Sequence, residues 1–188
     1  MIGAHRDWPD VAYLLRLGED IAHALVLVLS RLPASKRRAL ADAFFDEHVG
    51  RGGWGELPAD QRVLLAMGAK LALLVLDLTE RPALHEEPIV DLLHGAAQGD
   101  DLTIAPEPAV DRLRRAVLAV RLDPALDDES DPHAVASLAV VEVLDPSSDG
   151  VAVKEILARA AFATVECRSQ TETLGFLLEA DRILSVPK

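Results

Sequence analysis

The chain has 188 residues, the length of one domain, and half of them are apolar, which excludes the disordered class. Its 19 basic and 31 acidic residues give a net charge of −12, so we expect neither a nucleic acid nor a membrane as partner. The lone cysteine cannot form an internal disulfide. Neither the apolar core of a signal peptide nor an apolar run long enough to span a bilayer is visible. We therefore expect a soluble, cytoplasmic protein, and the preference for arginine over lysine is typical of a GC-rich bacterial genome.

Helical periodicity predicts two helices in the first quarter of the chain. From Val11 to Leu29 the apolar residues recur at steps of three and four, between a start at Asp10 and a stop at Pro33. A second helix is predicted over 34–49. The glycine-rich stretch Gly50–Gly55 then ends it, because no helix tolerates that many glycines.

A third helix is predicted over 59–79, and its apolar residues cover far more than one stripe. A helix that is apolar almost all round usually occupies the centre of a bundle. We therefore expect this helix to be the central one.

Start signals place five further helices near 88–98, 107–122, 132–144, 150–167 and 170–185. Three of them follow an acidic residue and a proline, which suits the positive end of a helix, and Ser169 with Glu172 forms a capping box. The last two segments could instead be one helix. The sequence thus predicts an all-α protein, a compact bundle of seven or eight antiparallel-packed helices forming a single helical domain over 1–188.

A weak echo between 120–124 and 142–146, each a helix end followed by Asp-Pro, leaves a short degenerate α-solenoid as the alternative fold. The spacing is short for a helix-pair repeat. We interpret the echo as shared helix-stop chemistry.

Three potential metal ligands, Glu87, Asp91 and His94, share one helical face, with His85 just before them. Taking 100° per residue, this face lies opposite the apolar stripe of Ile89, Leu93 and Ala96. A solvated polar face accounts for these residues more simply than a metal site. We predict no metal and no cofactor, and keep the three residues as the best metal candidates.

The loop Gly50–Gly55 offers a different kind of site. It lacks the Lys-Ser/Thr and the preceding strand of a phosphate-binding loop. Trp54 and Arg51 are residue types that anchor protein interfaces, so we predict them as binding residues.

Catalytic patterns are missing from the sequence. Cys167 follows Glu166, which raises a thiol pKa, and we expect the cysteine to be buried. Some apolar residues lie off the main stripes of their helices, and any that stay uncovered would form an interface. These are Leu27, Phe45, Leu118 and Leu122.

We therefore predict a non-enzymatic helical module, a regulatory, adaptor or assembly protein that binds a protein partner or itself. The alternative is a helical-bundle enzyme or a small-ligand or metal-binding protein. Its site would lie near His85–His94 or in the bundle interior.

Overall fold

The computed structural model describes residues 58–128 and 130–184, which contain six α-helices and no strand. The two helices predicted before residue 50, the spare residues Leu27 and Phe45, and the predicted binding residues Arg51 and Trp54 lie outside the described residues. The all-helical fold class is confirmed for the described part.

The six helices match the predicted segments closely in position. They are α1 (Gln61–Leu73), α2 (Glu87–Ala97), α3 (Glu107–Arg121), α4 (Pro132–Leu144), α5 (Val153–Cys167) and α6 (Gln170–Leu184). Single 3-10 turns follow α1, at Leu76–Leu78 and Pro82–His85, and flank α3, at Leu102–Ile104 and Pro124–Asp127. Among the described helices, none is both long enough and apolar enough to cross a membrane.

The helix α1 is shorter than predicted, since it ends at Leu73 and not near residue 79. The chain continues as a 3-10 turn, and side chains that are distant in sequence bond to carbonyl groups just before the turn and within it. Arg168 Nη2 donates to the Leu74 carbonyl at 2.9 Å, and His133 Nδ1 lies 2.8 Å from the Leu78 carbonyl. These tertiary hydrogen bonds replace the helical ones that the sequence pattern led us to expect.

The most completely buried of the described helices is α4, although α1, which lies within the segment 59–79 predicted to be central, packs against four other described helices. Nine of the thirteen residues of α4 are buried, against five of thirteen in α1. The hydroxyl of the one buried polar residue in α4, Ser137, donates to the His133 carbonyl at 2.9 Å. The buried side chains of α4 are mostly small or β-branched, so neighbouring helices can cover α4 from several sides.

The packing is that of a bundle. α4 and α5 form the most extensive contact, and α1 packs against α2, α4, α5 and α6. A stacked-repeat protein has contacts only between neighbouring repeats, whereas α1 touches the last helix described. The two Asp-Pro segments resemble each other because they end their helices in the same way, as we interpreted them. Asp123 and Asp145 each accept a hydrogen bond from the backbone N–H two residues later.

The segments α5 and α6 are two separate helices, because Arg168 between them is extended. The predicted capping box begins α6. The Ser169 hydroxyl accepts from the Glu172 backbone N–H at 3.3 Å, and the Glu172 carboxylate accepts from the Ser169 backbone N–H at 2.9 Å. α5 begins at Val153, three residues later than predicted.

Candidate functional site

The helix α2 has the two faces that its sequence predicts. Its buried residues are Ile89, Leu93 and Ala96, while Glu87, Asp91 and His94 are all exposed. Among the described residues, no group of three or more His, Cys, Asp or Glu side chains is arranged to hold a metal ion. This face is therefore of functional interest because it borders a groove.

A groove of about 460 Å³ runs between α2, the loop after it and the first turn of α3. Its wall on α2 is a single stripe at helical spacing: Pro88, Asp91, Leu92 and Gly95. The stripe spans about 10 Å, or two helical turns. We call this the acidic groove; its remaining lining residues are Asp100, Asp101, Leu102, Ile104, Ala105, Pro106 and Ala109.

A tight turn at the end of α2 places the first carboxylate of the loop. Gly99 has a φ of +100°, which favours glycine, and its N–H donates to the Ala96 carbonyl at 3.0 Å. The Asp100 N–H donates to the Gly95 carbonyl, also at 3.0 Å, completing a Schellman motif. A Cβ at Gly95 would lie 2.8 Å from Asp100 Oδ2, so the carboxylate sits against the end of the helix.

The acidic groove contains charge that its own side chains do not neutralise. The described residues that line it include three carboxylates and no basic side chain. Asp101 lies 4.0 Å from Arg62, but Asp91 and Asp100 are exposed and make no ion pair with any other residue in the described part. An incoming cation would therefore meet two uncompensated carboxylates beside an apolar surface.

The rim of the groove carries a largely exposed apolar residue. Ile104 is 79% exposed, the most exposed large hydrophobic residue in the part of the chain described, whereas Leu102 two positions earlier is buried. An exposed isoleucine next to an apolar groove enlarges the surface that a partner can cover. Ala105 and Ala109 are small, so they allow a partner's backbone to come close.

A second groove of about 330 Å³ shares Asp101 and Leu102 with the first and lies between α1 and the loop that joins α4 to α5. Its carboxylates are largely compensated. Arg121 lies 2.6 Å from Asp145, and Arg159 lies 3.6 Å from Glu142. The acidic groove is therefore the better candidate for a cationic ligand.

Cys167 has a histidine neighbour that its sequence context does not reveal. Its Sγ lies 4.0 Å from His133 Nε2, and Glu80 Oε1 lies 3.8 Å from the same nitrogen. Cys167 is half-buried, whereas we expected full burial. Burial raises the pKa of the thiol, and Glu166 raises it further, as the sequence predicted. A thiol that keeps its proton is a poor nucleophile, so the shift does not favour a catalytic role for this pair.

The structure brings together residues that the sequence analysis had left apart. It pairs Asp91 with Asp100 and Ile104 around one groove, but Glu87 and His94 do not line it. We missed Asp100 and Ile104. A signal for the groove was present in the spacing of Asp91, Leu92 and Gly95, which places an off-stripe leucine between a carboxylate and a glycine.

The chain matches no protein-family model, no curated protein and no solved structure. The geometry and charge of the groove therefore carry the functional argument.

Proposed function

We propose that this protein is a non-enzymatic interaction module that docks a cationic, apolar-anchored protein segment in the acidic groove. The observation that carries the proposal is that one groove is lined both by apolar residues and by the carboxylates of Asp91 and Asp100, which have no ion-pair partner among the described residues. Complementary charge of this kind guides the encounter and selects the partner, while buried apolar anchors provide most of the affinity.

The dimensions of the groove favour a helical segment. A wall of two helical turns accommodates two anchor side chains that lie one turn apart on an amphipathic helix. The small residues Gly95, Ala105 and Ala109 line the groove, where they leave room for those anchors. Lysine or arginine on the flanks of the helix would then reach Asp91 and Asp100.

The proposal can be tested with a probe that we call the arginine peptide, a synthetic helix with two leucines one turn apart and arginines on both flanks. Titrated into isotopically labelled full-length protein, it should shift the backbone amide NMR signals of Asp91, Leu92, Gly95 and Ala109. Signals of the second groove, at Ser148 and Val151, should stay in place. A matched peptide with glutamate in place of each arginine should cause no shifts.

A blocking variant makes the test specific for the groove. Ala109→Trp would fill it from the α3 side and should abolish the shifts at Asp91 and Leu92. Equal binding of the two peptides, or binding unaffected by Ala109→Trp, would contradict the proposal.

A second candidate function is the binding of a small cationic, partly apolar molecule in the same groove. Its volume of about 460 Å³ falls within the range of small-ligand sites. The groove also borders the stretch His85–His94, where the sequence allows such a site. Saturable shifts with an arylalkylamine, but none with the arginine peptide, would favour this candidate.

A further inference from the structure

The outer face of α3 and its C-terminal cap carry two exposed leucines one turn apart. Leu118 is 56% exposed and Leu122 71% exposed, while Leu113, Val117 and Val120 fill the core on the other side of the helix. Both leucines lie off the main apolar stripe, a position that already indicated a spare apolar face. The structure leaves both uncovered.

Arginines border these leucines, in a protein that is otherwise strongly acidic. α3 contains four arginines, Arg112, Arg114, Arg115 and Arg121, against the two carboxylates Glu107 and Asp111. We call Arg114, Arg115, Leu118 and Leu122 the leucine–arginine face.

The two arginines of this face are loosely held within the chain. Arg114 Nη1 lies 3.7 Å from Asp111, with both side chains exposed, and Arg115 Nε donates to the Asp111 backbone carbonyl at 3.3 Å. An exposed pair of this kind contributes little and is readily exchanged for another partner. Both guanidinium groups are therefore available to carboxylates of another molecule.

We infer that the segment docked in the acidic groove is the leucine–arginine face of a second copy of this chain. The inference rests on the proposed function and names its partner. The face has each feature expected of a segment that binds the groove: a helix, two apolar anchors one turn apart, and flanking cations. The groove supplies the apolar floor and the carboxylates Asp91 and Asp100.

The positions of the two surfaces determine the kind of assembly. Ala109, which lines the groove, and Leu118 are nine residues apart on one helix, which places them about 180° apart around its axis. The groove and the face thus lie on opposite sides of α3. Contacts between two different surfaces are head-to-tail, so copies add one after another and leave one free groove and one free face in any open chain.

Two complementary variants of the full-length protein test this arrangement. Leu118→Ser/Leu122→Ser removes the anchors of the face, and Ala109→Trp fills the groove. In sedimentation velocity, the average mass of the wild-type species should increase with protein concentration. Each variant alone should self-associate at least about tenfold more weakly. An equimolar mixture of the two should form a 1:1 heterodimer and nothing larger, because the intact groove of one binds the intact face of the other.

The control is Val63→Ser, since Val63 is a partly exposed apolar residue that belongs to neither surface, and it should associate like the wild type. Should Ala109→Trp fail to fold by circular dichroism, Asp91→Lys/Asp100→Lys replaces it as the groove variant, with the same expected heterodimer. Higher salt should weaken the association, because it screens the arginine–carboxylate contacts.

Three outcomes would overturn the inference: a wild type that stays monomeric at every concentration, variants that assemble like the wild type, or a mixture that forms no heterodimer. Failure here is distinguishable from failure of the proposed function. A monomeric wild type whose groove still binds the arginine peptide would leave the docking function standing with a different partner.

Discussion

The imidazole of His133, at the start of α4, lies 2.8 Å from the carbonyl oxygen of Leu78, although the two residues are 55 positions apart in the chain. The contact joins α4 to the 3-10 turn that follows α1. Arg168, at the end of α5, holds the same turn by donating to the Leu74 carbonyl and to Asp77. The end of α1 is therefore fixed by tertiary hydrogen bonds from two other helices.

Replacing His133 with alanine should lower the free energy of unfolding by about 1 kcal/mol, because the Leu78 carbonyl loses its partner. Urea denaturation monitored by circular dichroism measures the change. His94→Ala is the matched control, since the exposed His94 side chain makes no hydrogen bond in the described structure, and it should change stability by less than about 0.5 kcal/mol. Equal effects of the two substitutions would refute the role assigned to His133.

Two glycines on different helices should respond to alanine in opposite directions. At Gly68 a Cβ would lie 2.8 Å from Val151 Cγ1 and 3.1 Å from Ile156 Cδ1, so Gly68→Ala should cost about 1–3 kcal/mol from overpacking. At Gly175 on α6 nothing lies within 4 Å, so Gly175→Ala should stabilise the protein by about 0.5–1 kcal/mol through helix propensity. Thermal denaturation of the two variants side by side checks the pair, and a stabilising Gly68→Ala would show that α1 is not closely packed there.

Asp145 should contribute to the acid sensitivity of the fold. Burial raises the pKa of its carboxyl, but hydrogen bonds from the hydroxyl and backbone N–H of Ser147, together with Arg121, outweigh this, and the pKa lies below its ordinary value. The resulting stability is present above the pKa of the unfolded chain, at about pH 4, and is lost as the pH falls through the lower pKa of the folded state. Melting temperatures of the wild type should therefore fall more steeply below about pH 4 than those of Asp145→Asn, and identical slopes would exclude this contribution.

The rim residue of the acidic groove should matter for binding and not for folding. Ile104→Ser should weaken the affinity for the arginine peptide several-fold, because it removes an exposed apolar contact, and should leave the melting temperature nearly unchanged. Val63→Ser, measured by the same fluorescence anisotropy titration, should bind like the wild type. A drop in affinity for both variants would point to general hydrophobic attraction and not to a groove.

Much of the fold follows from local patterns. The stripe of Ile89, Leu93 and Ala96 on α2 and the capping box at Ser169 depend on residues within one or two turns, so sequence spacing is sufficient to predict them. The end of α1 could not be predicted in this way. It depends on His133 and Arg168, which approach only after the bundle forms.

The site was predictable only in pieces for the same reason. Asp91 and the off-stripe leucines of α3 are visible from helical spacing, but the groove needs the turn at Gly99 to bring Asp100 against Gly95. Charge compensation is also a tertiary property. Asp145 pairs with Arg121 in the folded chain, whereas Asp91 has no ion-pair partner among the described residues, and no local pattern separates the two.

The most direct test of a groove that docks cationic segments is a comparison of two charge reversals in one titration. Asp91→Lys lies in the acidic groove, and Asp127→Lys, on the exposed 3-10 turn after α3, changes the net charge by the same amount away from it. In fluorescence anisotropy with the arginine peptide, we predict that Asp91→Lys weakens binding at least about tenfold and that Asp127→Lys stays close to the wild type. Equal weakening by both variants would mean that the peptide senses only the overall charge, and would contradict the docking function.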